Sequence, residues 1–285
     1  MGLVINTNVA SLAAQRQLHN NTNMVNGSFE KLASGMRINR AADDAAGLNI
    51  SENLITQIRG NNKALSNAQD GVNILQIAEG ALNVITENLQ RVRELAIQAA
   101  NDTNSSKERK AIAMEVQSRF DDINRIANST TSNHLRLLDG TVGSQFRLQI
   151  GTGDNVTTDT VNIASAFAEA TVSALNITTT VTVAASGAFV SNTTARSFLN
   201  EIDSALGKVQ TQRSSIGAIQ NRLQSTIENI NVAVQNFSAT NSRIRDLDVA
   251  SETAKMTQAQ ILQQTALSVL SQANQAPQLA MRLIG

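Results

Sequence analysis

Cysteine is missing from all 285 residues, as are tryptophan and tyrosine, and the chain has one proline, Pro277, and two histidines, His19 and His134. Without cysteine there is no disulfide, no thiolate metal site and no cysteine nucleophile. With aromatics at 2%, the core must be built from Ala, Leu, Ile and Val, which suits thin helical packing better than a wide globular interior. More than 270 residues pass before the helix breaker Pro277, which predicts long helices. Neither charge sign dominates: 23 basic residues balance 23 acidic ones, and no like-charge block marks a nucleic acid or an anionic membrane as partner. No run approaches the roughly 18 apolar residues of a membrane span, so membrane insertion is not expected.

Motifs of chemistry are equally scarce. No H-E-x-x-H surrounds the histidines, and "GTGDN" (151–155) lacks the Lys-Ser/Thr that would complete a phosphate loop. The start, "MGLVINTNVASLAAQRQL", has no basic region followed by an apolar one and reads as no Sec-type signal peptide. Asn6 stands where a myristoylation motif wants Ser or Thr. The residues point to a protein with no cofactor, no metal and no catalysis.

Periodicity is what the chain has in quantity. Leu199, Ile202, Leu206, Val209, Arg213, Ile216, Gln220, Leu223, Ile227, Ile230, Val234, Phe237, Asn241 and Ile244 alternate spacings of three and four, the seam of a coiled coil or long bundle helix. Arg213, Gln220 and Asn241 interrupt it as register-fixing polar positions. Upstream, Leu54, Ile58, Leu65, Ala68, Val72, Leu75, Leu82, Ile85, Leu89, Val92, Leu95 and Ala99 form a second stripe with a period nearer 3.6, predicting a helix about 80 Å long. "NDTNSSKER" breaks it. Ser106 is then expected to cap a third helix carrying Ile112, Val116, Phe120, Ile123 and Ala127.

"FRLQIGTGDNVTTDTVNI" (146–163) alternates Phe146, Leu148 and Ile150 before a turn and a Thr/Val-rich return, predicting a β-hairpin. From Ala164 to Thr194 a small loop-rich or β insertion is expected, tolerant of substitution. Both chain ends are helical in pattern yet rich in Asn, Gln, Ser and Thr. Each has only a thin apolar stripe: Val25, Phe29, Leu32 and Met36 in one, and Ile261, Leu262, Ala266, Val269, Leu270 and Ala273 in the other. Such helices bury little alone and need partners to order them.

"LASGMRINRAADDAAGLNIS" (32–51) sets Arg37 and Arg40 before Asp43 and Asp44, with Gly35 and Gly47 on either side. An enzyme reading makes the carboxylates an acid/base or metal pair. Adjacent helical residues diverge by about 100°, however, and neither histidine is near in sequence. The structural reading is favoured: glycines at a bend, an aspartate at a helix N-terminus, and arginines in pairing or subunit contacts.

That stretch, with "VINTNVASL", "AQDGVNILQIAEGALNVITENLQRVRELAIQAAND" and "SRIRDLDVASETAKMTQAQILQQTALSVLSQANQAPQ", resembles bacterial flagellin, and the likeness covers about four-fifths of the chain. The large outer domains that many flagellins insert in mid-chain are missing. The resemblance implies a mainly α fold of long antiparallel helices in a coiled-coil-like D0/D1 core with a small mid-chain β-hairpin. Its expected segments are 1–43 (N-terminal D0 helix and linker), 44–150 (D1 helices and start of the hairpin), 151–195 (short variable region), 196–245 (C-terminal D1 helix) and 246–285 (C-terminal D0 helix).

The resemblance further implies an extracellular structural subunit, many copies of which form a helical filament for swimming. It implies export by the flagellar type III system, a secretion chaperone on the C-terminal segment, and filament-cap and hook-junction partners. Gln90, Arg91, Glu94, Leu95 and Glu115 match the segment read by the vertebrate Toll-like receptor for flagellin and used between stacked subunits. Arg37, Arg40, Asp43 and Asp44 match the D0–D1 connection, and Ile261, Leu262, Val269 and Leu270 the inner-core packing. Thr178, Thr179, Thr180, Ser191, Thr193 and Thr194 are candidates for O-linked sugars. Two rival readings are a hook-filament junction protein, which shares the terminal segments, and a coiled-coil signalling module.

Overall fold

The computed structural model describes residues 7–143, 145–177 and 192–284, with side chains placed for residue 7 through residue 275 except at 192 and 193 within those ranges. Five long helices dominate them: α1 (Val9–Ser34), α2 (Ala45–Ala99), α3 (Ser106–Ser129), α4 (Asn192–Arg245) and α5 (Val249–Ile284). At 55 residues, α2 has the length its periodicity predicts, about 80 Å. Between α3 and α4 lie two short antiparallel pairs, β1 (Thr131–Ser132) with β2 (Leu135–Arg136) and β3 (Arg147–Gln149) with β4 (Thr160–Asn162), then a 3-10 turn at Ala164–Ala166. The expected hairpin therefore forms, with Leu148 opposite Val161, but its strands are only three residues each.

The chain divides into two compact units, residues 59–234 and residues 1–58 with 235–285. In the first, α2 and α4 run antiparallel, as the pairs Gln220–Glu79 and Arg93–Asp203 fix. The α3 helix returns along α2, tied by Arg119–Asn88 and Arg91–Glu115. Buried Leu75, Leu82, Ile85, Leu89 and Val92 of α2 meet Val116, Phe120 and Ile123 of α3 and Ile202, Val209, Ile216 and Leu223 of α4 in one core. Sequence periodicity marks all of these. It misses Phe198, one residue off the α4 row, which is fully buried with its ring edge-on to Phe120 at 6.1 Å.

The start of α3 differs from expectation by one residue. Ser105, not Ser106, is the N-cap: its hydroxyl accepts the Glu108 amide, and Glu108 accepts the Ser105 amide in return. This reciprocal bonding satisfies two of the orphan donors at the helix start, and it holds the Glu108 carboxyl below its ordinary pKa.

The segment after the hairpin departs further. Ala166, Phe167, Ala170, Val172, Leu175 and Ile177 are all buried, so the described part of the expected tolerant insertion is a core plug. Its apolar residues follow no period because the backbone is irregular and each turn inserts whichever side chain meets the helices. Gln212 of α4, itself buried, donates to the carbonyls of Ala166 (3.1 Å) and Ala168 (2.9 Å), satisfying backbone acceptors that no strand partner reaches.

Candidate assembly and recognition surfaces

In the second unit, α1 and α5 pair antiparallel. Ser11 bonds Asn274, Thr22 accepts from Gln263, and Ser28 donates to Glu252 at 2.7 Å. The facing rows keep strict three-four spacing: Ser11, Ala14, Leu18, Asn21, Val25, Ser28 and Leu32 against Glu252, Met256, Ala259, Gln263, Ala266, Leu270 and Ala273. This is a coiled-coil seam filled mostly with small and polar side chains. Small residues let the helices approach, and side-chain hydrogen bonds replace apolar burial. Glu252, 7% exposed, is held below its ordinary pKa by the Ser28 hydrogen bond and then by Lys255, with Lys31 adding its charge.

Larger apolar residues are turned outward. On α1 these are Val9, Leu12, Met24 and Phe29, the last 67% exposed; on α5 they are Val249, Ile261, Leu262, Leu267 and Val269. The expected α1 stripe is thus corrected. Val25 and Leu32 join the seam and Met36 bridges to Asp246, but Phe29 yields its place to Ser28 because that serine completes the spacing and bonds Glu252. Of the inner-core candidates, Ile261, Leu262 and Val269 are exposed and Leu270 is half-buried.

The 32–51 stretch is a splice between two chain passages. Gly35, at φ 69°, ends α1 in the left-handed conformation, and its carbonyl accepts the Leu247 amide at 3.0 Å; few residues other than glycine adopt that backbone without strain. Arg37 donates its amide to the Arg245 carbonyl (2.7 Å) and its guanidinium to the Ile244 carbonyl (2.7 Å), capping the C-terminus of α4. Arg40 forks onto both oxygens of Glu30, each at 2.9 Å. The two aspartates do separate work. Asp43 accepts the amides of Arg40 and Asn39, which lower its pKa, while Asp44 accepts the Gly47 amide at 2.8 Å as N-cap of α2. Gly47 lies inside the first turn of α2 rather than at a bend. Its hydrogen is needed because a Cβ there would press on Asp44 and on buried Ile38, 2.8 Å from its Cδ1. Behind the splice, Ser51 donates to Asn241 and Arg245 pairs with Glu52 at 2.8 Å. Both carboxylates are committed to backbone amides, so the cluster holds structure and not a substrate.

On the other unit, Arg91 bridges α2 and α3. It pairs with Glu94 at 3.0 Å and Glu115 at 3.1 Å, in that order of effect raising its pKa, with all three side chains well exposed. Gln90 is exposed beside them. Leu95 is not: it is 2% exposed and lies in the core. Four residues beyond Arg91, the helix has turned about 40° toward the core, enough to bury it. Leu95 supports the Arg91 surface from beneath instead of forming it. Among the sugar-acceptor candidates, Thr178, Thr179, Thr180, Ser191 and the side chain of Thr193 lie outside the described residues, and Thr194 is half-buried at the start of α4.

No described helix is long and apolar enough to cross a membrane, and among the described residues no three His, Cys, Asp or Glu gather as metal ligands. Known proteins decide the family. The model of the bacterial flagellin N-terminal helical region matches residues 5–143, and that of the C-terminal helical region matches 199–284. The chain belongs to the bacterial flagellins. It is 40% identical to the flagellin of Halalkalibacterium halodurans across 99% of this chain and all of that one, and 39% identical to that of Bacillus subtilis across 98% and 99%. Flagellin is a structural protein, not an enzyme, and its helical regions contain every surface described above. A solved structure described as a flagellar hook-associated protein of Vibrio parahaemolyticus matches 72% of the chain and all of its own, with TM-score 0.60 and 16% identity. That likeness concerns fold alone, and the near full-length flagellin identities separate this chain from the junction-protein reading.

Proposed function

We propose that this chain is the subunit of an extracellular flagellar filament, and that ordering of the α1–α5 pair by neighbouring copies drives its assembly. The observation that carries the reading is the inverted distribution in that pair. Small and polar residues occupy most of the seam while Phe29, Ile261, Leu262 and Val269 face outward, where other copies can bury them. We place the functional boundary between inner pair and outer body at the splice, giving 1–43 with 246–285 and 44–150 with 196–245. Export by the flagellar type III system, a chaperone holding the apolar face of 246–285 before assembly, and end contacts with cap and hook-junction proteins follow from the same reading.

The test is seeded polymerisation followed by negative-stain microscopy. The full chain grows filaments, and a chain ending at residue 245 stays soluble and helical without growing them. Growth by the truncated chain overturns the reading.

A second reading, recognition by the vertebrate Toll-like receptor for flagellin, is supported by the exposed Gln90–Arg91–Glu94–Glu115 surface. Arg91→Ala is expected to reduce receptor signalling by the monomer roughly tenfold, the scale of a charged hot spot. An unchanged dose response rejects it.

A further inference from the structure

The α1–α5 pair carries an open groove of about 370 Å³ along one flank, whose lining includes Met24, Gly27 and Lys31 of α1 and Lys255, Ala259 and Leu262 of α5, with the hydrogen-bonded Ser28–Glu252 pair among its polar members. Gly27 sits in the middle of α1, where glycine costs a helix about 1 kcal/mol relative to alanine. A Cβ added there would meet nothing within 4 Å, and no positive φ requires the glycine. No contact among the described residues accounts for it, and the bare backbone leaves room for another chain to approach. On the opposite flank stands Phe29, the one aromatic among the described residues that is exposed as a large hydrophobic, at 67%. Two residues from both Gly27 and Lys31, it points about 160° away from each.

Resting on the filament reading, we propose that Phe29 of one copy inserts into the Gly27–Leu262 groove of the next. The groove exceeds the volume of a phenyl ring, and its apolar lining comes from Met24, Ala259, Leu262 and the bare backbone of Gly27. At the rim, Lys31 has no ion pair among the described residues, Lys255 is paired with Glu252, and the Glu30 beside Phe29 is held by Arg40, so size and apolar lining, not charge, carry the fit. Knob and hole lie on opposite flanks of one helix pair, so each copy uses a different face for each neighbour. Such a heterologous contact does not close on itself as a dimer, and it repeats as an open helical array where its rotation closes no ring.

The chain's lack of cysteine makes the test direct. Filaments are grown from wild-type chain doped with F29C and L262C single variants, then oxidised. A covalent dimer containing one copy of each variant is expected, with no dimer when either variant is doped alone. Separately, Gly27→Ala should raise monomer helicity while increasing the critical concentration for growth several-fold, and Phe29→Ala should increase it roughly tenfold or more without changing the monomer. F29C–F29C dimers would make the contact isologous and overturn the proposal. So would filaments that show no mixed dimer and grow normally with Gly27→Ala and Phe29→Ala. Failure of the wild-type chain to polymerise under seeding would overturn the filament reading itself, which separates the two failures.

Discussion

Glu252 is, among the described residues, the one charged residue buried in the α1–α5 seam. Its carboxylate is buried in the seam, accepts the Ser28 hydroxyl, and faces Lys31 from α1 and Lys255 from its own helix. Its folded pKa is lowered, so its contribution to pairing is complete above the unfolded carboxyl range and is lost as pH falls through the lowered folded value. The α1–α5 pair should therefore loosen below about pH 4, the lower edge of the ordinary glutamate range. Glu252→Gln should weaken pairing at neutral pH and flatten its acid dependence, read by circular dichroism or by exchange of α1 amides between pH 3 and 7. An unaltered acid profile in the variant would show that other carboxylates carry it. Arg40 and Asp43 are a different case. Their bonds are exposed and modest in energy, and they matter because they fix where α1 stops and α2 begins. Asp44→Ala removes the α2 N-cap and should cost about 1 kcal/mol in thermal or denaturant unfolding.

The helices were legible in the sequence because burial there obeys a period. The rows from Ala68 to Ala99 and Ile112 to Ala127 return as buried core apart from half-buried Val72, and in α4 Ile202, Val209, Ile216 and Leu223 are buried with Leu199, Leu206 and Ile227 half-buried against them. The α1–α5 seam was half legible. Its spacing is regular, but Ser11, Asn21, Ser28 and Glu252 occupy it, and a reading based on apolar residues selects Phe29 instead. The splice was legible in type, since glycine, arginine and aspartate in that order signal a stop, a cap and a restart. Its partners at Ile244, Arg245 and Leu247, some 200 residues on, were not. Least legible was the 164–177 plug, where irregular backbone removes the period. Phe167 tests that element: it is 2% exposed and edge-on to Phe146 at 5.6 Å. Phe167→Ala should cost 3–5 kcal/mol, about what a buried phenyl and its cavity are worth, measured by denaturant unfolding. A loss under about 1 kcal/mol would return the segment to the class of tolerant loops.

For the whole molecule, the two units differ in what their interiors contain. Residues 59–234 enclose a continuous apolar core fed by three helices and the plug, including Phe120, Phe167 and Phe198. The unit of residues 1–58 and 235–285 has, among its described buried apolar residues, only Ala14, Ile38, Ala259 and Ala266. Ordering a residue costs about 1–2 kcal/mol of backbone entropy, and a two-helix seam whose fully buried positions are alanine, serine, asparagine and glutamate, with its leucines, valine and methionine only half-buried, returns little of it. In the proposed filament, neighbouring copies change that balance: each would cover exposed residues such as Leu12, Phe29, Ile261 and Val269 without ordering the same chain twice, so the return per ordered residue would grow with the number of contacts. Hydrogen exchange should therefore find amides of α1 and α5 protected weakly in dilute monomer and strongly in filament. Amides near Leu82, Phe120 and Val209 should be protected alike in both. Raising monomer concentration below the threshold for growth should leave the two ends exchanging as before, because protection comes from the lattice and not from a dimer. Equal protection of α1 in monomer and filament would mean that the pair is already folded, and that the outward apolar face is a surface awaiting partners instead of a segment that folds on joining them.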